Sequence, residues 1–135
     1  MNDMARHGDT LAVSGTRVFD GERVLENRVV LVADGMVSGV VPRDAVPGGA
    51  TLYHDEDSTV LPGLIDTHVH FMRWQGAKFL ASGVTTVRDT GNDLKWILAR
   101  RSEWEGKTWP RILCLGPLLD GPVPGHEVVS RRCMD

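Results

Sequence analysis

The sequence predicts an α/β protein, with a small β-rich segment over residues 1–59 and a parallel-sheet region over residues 60–135. Two observations carry this expectation. From Val60 onward, runs of branched apolar residues alternate with helix-compatible stretches in the order strand, helix, strand, helix, strand. That order is the pattern of βαβ units. Before Val60 the apolar runs are short, and turn signals rather than helical spacing separate them.

The elements follow in order. "TLAVSGTRVFDG" alternates in part and ends at Asp20-Gly21, a hairpin-type turn. Two further runs, Val29 to Val32 and Met36 to Val41, are split by Asp34-Gly35. Pro42, Pro47, Gly48 and Gly49 then predict a loop before "ATLYHD". These strands read as a small antiparallel, sandwich-like piece that needs another sheet to complete its core. "VLPGLIDTHVHF" has the pattern of a buried strand, and "RWQGAKFLAS" is helical up to Gly83, a C-terminal cap. "VTTVRDTG" is a second strand, and Asn92 or Asp93 caps a helix carrying Leu94, Ile97, Leu98 and Trp104 at helical spacing. Pro110 closes it, "RILCLGPLL" is a third strand, and "DGPVPGHEVVSRRCMD" reads as loop with the start of another element.

Composition narrows the function classes. A chain of 135 residues with 41% hydrophobic content can build the core of one ordinary domain. A net charge of −3 argues against nucleic acid or an anionic membrane as partner. No apolar run approaches the roughly 20 residues of a membrane helix, and "MNDMARHGDT" lacks the apolar centre of a secretion signal. Cys114 and Cys133 form neither a CxxC pair nor a disulfide pattern, so a reducing cytoplasm is the expected location. Neither G-x-S-x-G, a P-loop nor G-x-G-x-x-G occurs.

The chemistry concentrates in "LPGLIDTHVH". Side chains alternate along a strand, so His68 and His70 fall on one face with Leu64 and Asp66, the two imidazoles roughly 6–7 Å apart. Both can reach one divalent ion, and the carboxyl end of a parallel strand is where ligands gather. A bare His-x-His also arises by chance, and two ligands do not complete a catalytic site. Asp66 could orient an imidazole from outside the metal's own ligands. Asp89, at the end of the second strand, either lines the site or serves as a turn residue. His126 either joins the site from beyond the third strand or is an ordinary loop residue. His7 and His54 read as a frayed-terminus and a surface-loop residue, and the four tryptophans as packing.

"VLPGLIDTHVH" resembles the first-strand motif of the amidohydrolase superfamily, and "LASGVTTVRDTGN" its second-strand segment. "VSGTRVFDG" with "VVLVADGMVSGVVP" is similar to the small β domain that precedes the barrel in many members. The wording is closest to the imidazolonepropionase-like and Xaa-Pro dipeptidase-like branch. The resemblance implies about the first three βα units of a (β/α)8 barrel, with His68 and His70 matching the histidine pair that binds the more buried of one or two divalent metals, zinc foremost. It implies hydrolysis of C–N bonds in small amide, cyclic amide or dipeptide substrates through a metal-bound water. The family's strand-four lysine or glutamate, its later histidines and its strand-eight aspartate find no match here: Lys78, Lys95 and Lys107 sit in helical or loop segments. A barrel takes about 250 residues. The expectation is therefore an N-terminal part with little activity alone. A split enzyme completed by another chain, self-association, and a non-catalytic metal-binding or interaction module are the alternatives.

Overall fold

A computed structural model describes residues 10–120 and 130–132. The chain divides into two compact units, Met1–Pro62 and Gly63–Asp135. Together they make a sheet-rich α/β protein with few helices.

The first unit holds β1 (Leu11–Phe19), β2 (Val24–Glu26), β3 (Arg28–Ala33), β4 (Met36–Pro42) and β5 (Thr51–Val60). β1 is central. Its first half pairs antiparallel with β3, its second half with β2, and β5 runs parallel along its other edge. The expected antiparallel sandwich-like piece is thus one mixed five-stranded sheet. The difference lies in the loop after β4: a 3-10 turn at Arg43–Ala45 and a turn closed by Ala50 N–H donating to the Pro47 carbonyl return the chain parallel to β1. Asp34 and Gly35 take φ of 51° and 73°, the left-handed pair that a tight hairpin requires. At Asp20 the carboxylate accepts from the amides of Arg23 and Glu22, which holds its pKa below the usual carboxylate value. Ala12, Val29 and Leu31 form the core, backed by Val41, Val46 and Ala50.

His54 corrects the sequence reading. It lies within β5 rather than in a loop, its Nδ1 2.9 Å from Ser14 Oγ and its Nε2 3.4 Å from Arg43 Nη1. "TLYHDEDS" carries little apolar alternation, and partnership with β1 rather than local pattern extends it.

The second unit begins at Gly63, where an added Cβ would run into the Thr85 side chain. It holds β6 (Leu64–Val69), a 3-10 turn (Arg73–Gln75), α1 (Gly76–Ala81), β7 (Val84–Asp89), α2 (Leu94–Trp104) and β8 (Arg111–Cys114). β6, β7 and β8 form a parallel sheet in that order. Two short strands, β9 (Leu118–Asp120) and β10 (Ser130–Arg132), pair separately. Gly83 ends the first helical segment at φ 78°, its amide donating to the Leu80 carbonyl. Asp93 caps α2 by accepting from the Trp96 amide at 2.8 Å.

One face of this sheet is covered. Val69, Phe71, Val87 and Ile112 pack with Ile97 and Trp104 of α2. Phe71 stacks on Phe79 at 5.9 Å and tilts against Trp104 at 5.4 Å, and Trp104 stacks on Trp109 at 4.4 Å. The register pair Val87 and Ile112 is buried, while the next pair, Arg88 and Leu113, is exposed. Gly76 is where α1 meets this aromatic layer, since a Cβ there would overlap the Trp109 ring. Gly76→Ala should therefore cost about 1–3 kcal/mol and weaken the near-UV circular dichroism of the tryptophan stack. Gly48→Ala, with open space around it, should leave both unchanged. Equal urea midpoints for the two variants would refute this packing.

Candidate metal centre

The end of β6 places the two histidines by packing the residue between them and the one after. Val69 and Phe71 are buried in the aromatic layer, so His68 and His70, which alternate with them, emerge on the other side. The ring centroids lie 5.7 Å apart and nearly perpendicular, a little under the roughly 6–7 Å expected along a strand.

The register of β6 against β7 slips on the way. Asp66 pairs with Val87 and Val69 with Asp89, so three steps in β6 oppose two in β7. This bulge interrupts simple alternation between Asp66 and the histidines. Asp66 uses Oδ1 to accept the main-chain amide of His68 at 3.1 Å. It shapes the backbone at the bulge, through that amide rather than through a ring.

Asp89 is fully buried, at 0% exposure, at the end of β7. Oδ2 accepts the Phe71 amide at 2.7 Å and the Asn92 side-chain amide at 3.1 Å, and Oδ1 accepts the Gly91 amide at 3.3 Å. A second donor bond from Asn92 Nδ2 reaches the Phe71 carbonyl at 2.8 Å. His70 Nδ1 lies 3.1 Å from the Gly91 carbonyl. Asp89 therefore holds the loop that touches His70. The residue types of Gly91 and Asn92 do not by themselves mark a site; the signal in the sequence is "RDTGN", a buried-strand end followed by small and amide residues.

The structure brings His68, His70 and the Asp89–Asn92 turn together at the carboxyl ends of β6 and β7. His126 lies outside the described residues. Cys114 ends β8 beside Asp89 in register. Burial pushes its thiol pKa up, Arg101 opposes this, and Asp89 adds to it. Among the described residues no group of three His, Cys, Asp or Glu is placed to hold a metal ion, and no helix is long and apolar enough to cross a membrane.

No protein-family model matches the chain. Individual relatives do. It is 39% identical over 90 residues to an allantoinase of Streptomyces avermitilis, covering 58% of this chain and 20% of that protein. It is 35% identical over 65 residues to an adenine deaminase of Bradyrhizobium, covering 44% and 11%. A solved prolidase-type chain from Bifidobacterium longum superposes with a TM-score of 0.76 at 26% identity, covering 93% of this chain and 34% of that one. These relatives and structural neighbours indicate the amidohydrolase superfamily. The match is over the N-terminal fragment only, and the chain spans about a fifth or less of the length of these two curated relatives. Members of the amidohydrolase superfamily use divalent metals, and its solved neighbours here are barrel proteins.

Two outcomes follow. Asp89→Ala leaves buried donors without an acceptor, each costing about 1–3 kcal/mol, whereas Asp66→Ala should cost only about 0.5 kcal/mol; comparable urea midpoints would refute the distinction. Alkylation of Cys114, followed by peptide mass, should be slower than that of an ordinary thiol at neutral pH. It should accelerate only above the usual thiol range, because the thiolate is the reactive form.

Proposed function

We propose that this chain supplies the opening part of an amidohydrolase barrel, with β6, β7 and β8 as about the first three of its eight βα units and residues 1–59 as the preceding β domain. His68 and His70 are two ligands to a divalent cation, zinc first. The observation that carries this is the pair of imidazoles at the carboxyl end of a parallel strand, 5.7 Å apart, on the side opposite a packed aromatic core.

The donor set fits the cation in kind, since imidazole nitrogen is a favoured zinc ligand. It fits only in part by number: a catalytic zinc takes three protein ligands and a water, and no such group of three is assembled among the described residues. Bound there, the cation would supply Lewis acidity toward a scissile carbonyl and lower the pKa of a water. The chain's own residues do the positioning. The packing of Val69 and Phe71 aims the imidazoles, Asp66 fixes the bulge before them, and Asp89 with Asn92 fixes the loop against His70. His126 is a proposed lining residue.

On this reading the complete site hydrolyses a C–N bond in a small amide-type substrate in a reducing, cytoplasmic setting, and the present residues alone turn over little or nothing. Residues outside those described supply the remaining ligands. A specific observation favours a second route, completion by another chain: β6 and β8 each have one edge without a strand partner among the described residues, and such edges recruit strands.

Calorimetric titration of zinc into the 135-residue chain tests the ligand pair. His68→Ala should remove the binding and His54→Ala should leave it. An equal loss in both variants would refute the strand-end site. Clear metal-dependent amide hydrolysis by the chain alone would refute the inactivity.

A further inference from the structure

We infer that Gly91 and Asn92, tied together through Asp89, are positioning residues that decide which nitrogen of His70 is presented to a ligand. The deciding contact is His70 Nδ1 to the Gly91 carbonyl, 3.1 Å. A carbonyl oxygen only accepts, so Nδ1 carries the hydrogen, and in the neutral ring the lone pair resides on Nε2. A partner of this kind fixes both tautomer and ring orientation.

The carbonyl is held from three directions. The Gly91 amide donates to Asp89 Oδ1 at 3.3 Å. Asn92 Nδ2 donates to Asp89 Oδ2 and to the Phe71 carbonyl, fastening the turn to the end of β6. The Thr90 amide donates to the Val69 carbonyl at 2.9 Å, one residue before His70. The loop is thus registered against the strand that carries the imidazole, on both sides of that imidazole.

An independent observation concerns space. A Cβ on Gly91 would lie 3.1 Å from both Cε1 and Nδ1 of His70 and 3.0 Å from Leu118 Cγ. Glycine here lets the main chain approach the ring edge closely enough for its carbonyl to accept. Alanine would press the imidazole aside by a few tenths of an ångström, unless Leu118 and the loop gave way instead.

The inference rests on the proposed metal role only for its consequence, because the tautomer exists without a metal. Long-range 1H–15N correlation spectra of the metal-free, 15N-labelled chain at about pH 8, above the ordinary histidine range, read the protonated nitrogen directly. His70→Gln assigns the signals. The expected result is the Nδ1–H form at His70. Asn92→Ala and Gly91→Ala should each shift the tautomer ratio toward Nε2–H by about threefold to tenfold with His68 unmoved. If Asn92→Ala does not fold, Gly91→Ala alone gives the reading. Zinc, where it binds, should perturb Nε2 of His70 and bind about 10–100-fold more weakly to Asn92→Ala. An Nε2–H tautomer in the unmodified chain, or an unchanged ratio in the folded variants, would overturn the inference. Failure of zinc to bind beside an intact Nδ1–H signal would remove the metal reading and leave the positioning role standing.

Discussion

The second unit depends on one buried carboxylate. Parallel strands have no hairpins to fix their ends, so loop groups must take over where each ladder stops. Asp89 does this at the carboxyl ends of three strands. Its side chain accepts from Phe71 just past β6, its own carbonyl accepts the Leu115 amide just past β8, and Thr90 and Asn92 next to it bond Val69, Phe71 and Gly116. A carboxylate at 0% exposure is expensive to bury unless hydrogen bonds replace its water. Three donors do so, and the desolvation cost becomes a geometric requirement: the turn must hold its shape for the carboxylate to be satisfied.

The aromatic layer works against the same point from below. Phe71 is nearly fully buried between Phe79 and Trp104 while its amide is engaged by Asp89. Burying such a side chain contributes about 1.5–3 kcal/mol, so β6 is held through side chain and main chain at one residue. The histidines on either side of Val69 inherit that precision. Their orientation is a by-product of the core, which is why a site built on two exposed or half-buried rings can still be well defined.

Local chemistry made much of this legible in the sequence. Asp34-Gly35, Gly83 and Asp93 act through neighbours within four residues, and each turn or cap is where its residue type demands. The His-x-His spacing likewise follows from the pleat. What escaped was long-range. The parallel pairing of β5 with β1 brings together residues about 40 apart, and the polar "YHDED" run gives no sign of it. The bulge in β6 is set by its register with β7, so the role of Asp66 could not follow from alternation alone. Asp89 reads as a strand-end acid, but its bond to the Phe71 amide, 18 residues away, is set by the pairing of β6 with β7. Gly91 in particular reads as a turn glycine until the imidazole beside it is seen.

The two faces of the β6-β7-β8 sheet carry different kinds of information. Toward the helices, Val87, Ile112, Ile97 and Trp104 are buried and self-sufficient. On the other side Arg88 and Leu113 stand exposed next to that core, and His68 emerges from the same strand ends. Parallel sheets are usually covered on both faces, because crossover connections lay helices against them. The helix side supplies the packed core of this unit, while the histidine side carries its exposed strand-end groups. The separation has a geometric consequence: the groups that aim the two imidazoles, Val69 and Phe71, are anchored in the packed face, so the orientation of the rings follows from the core.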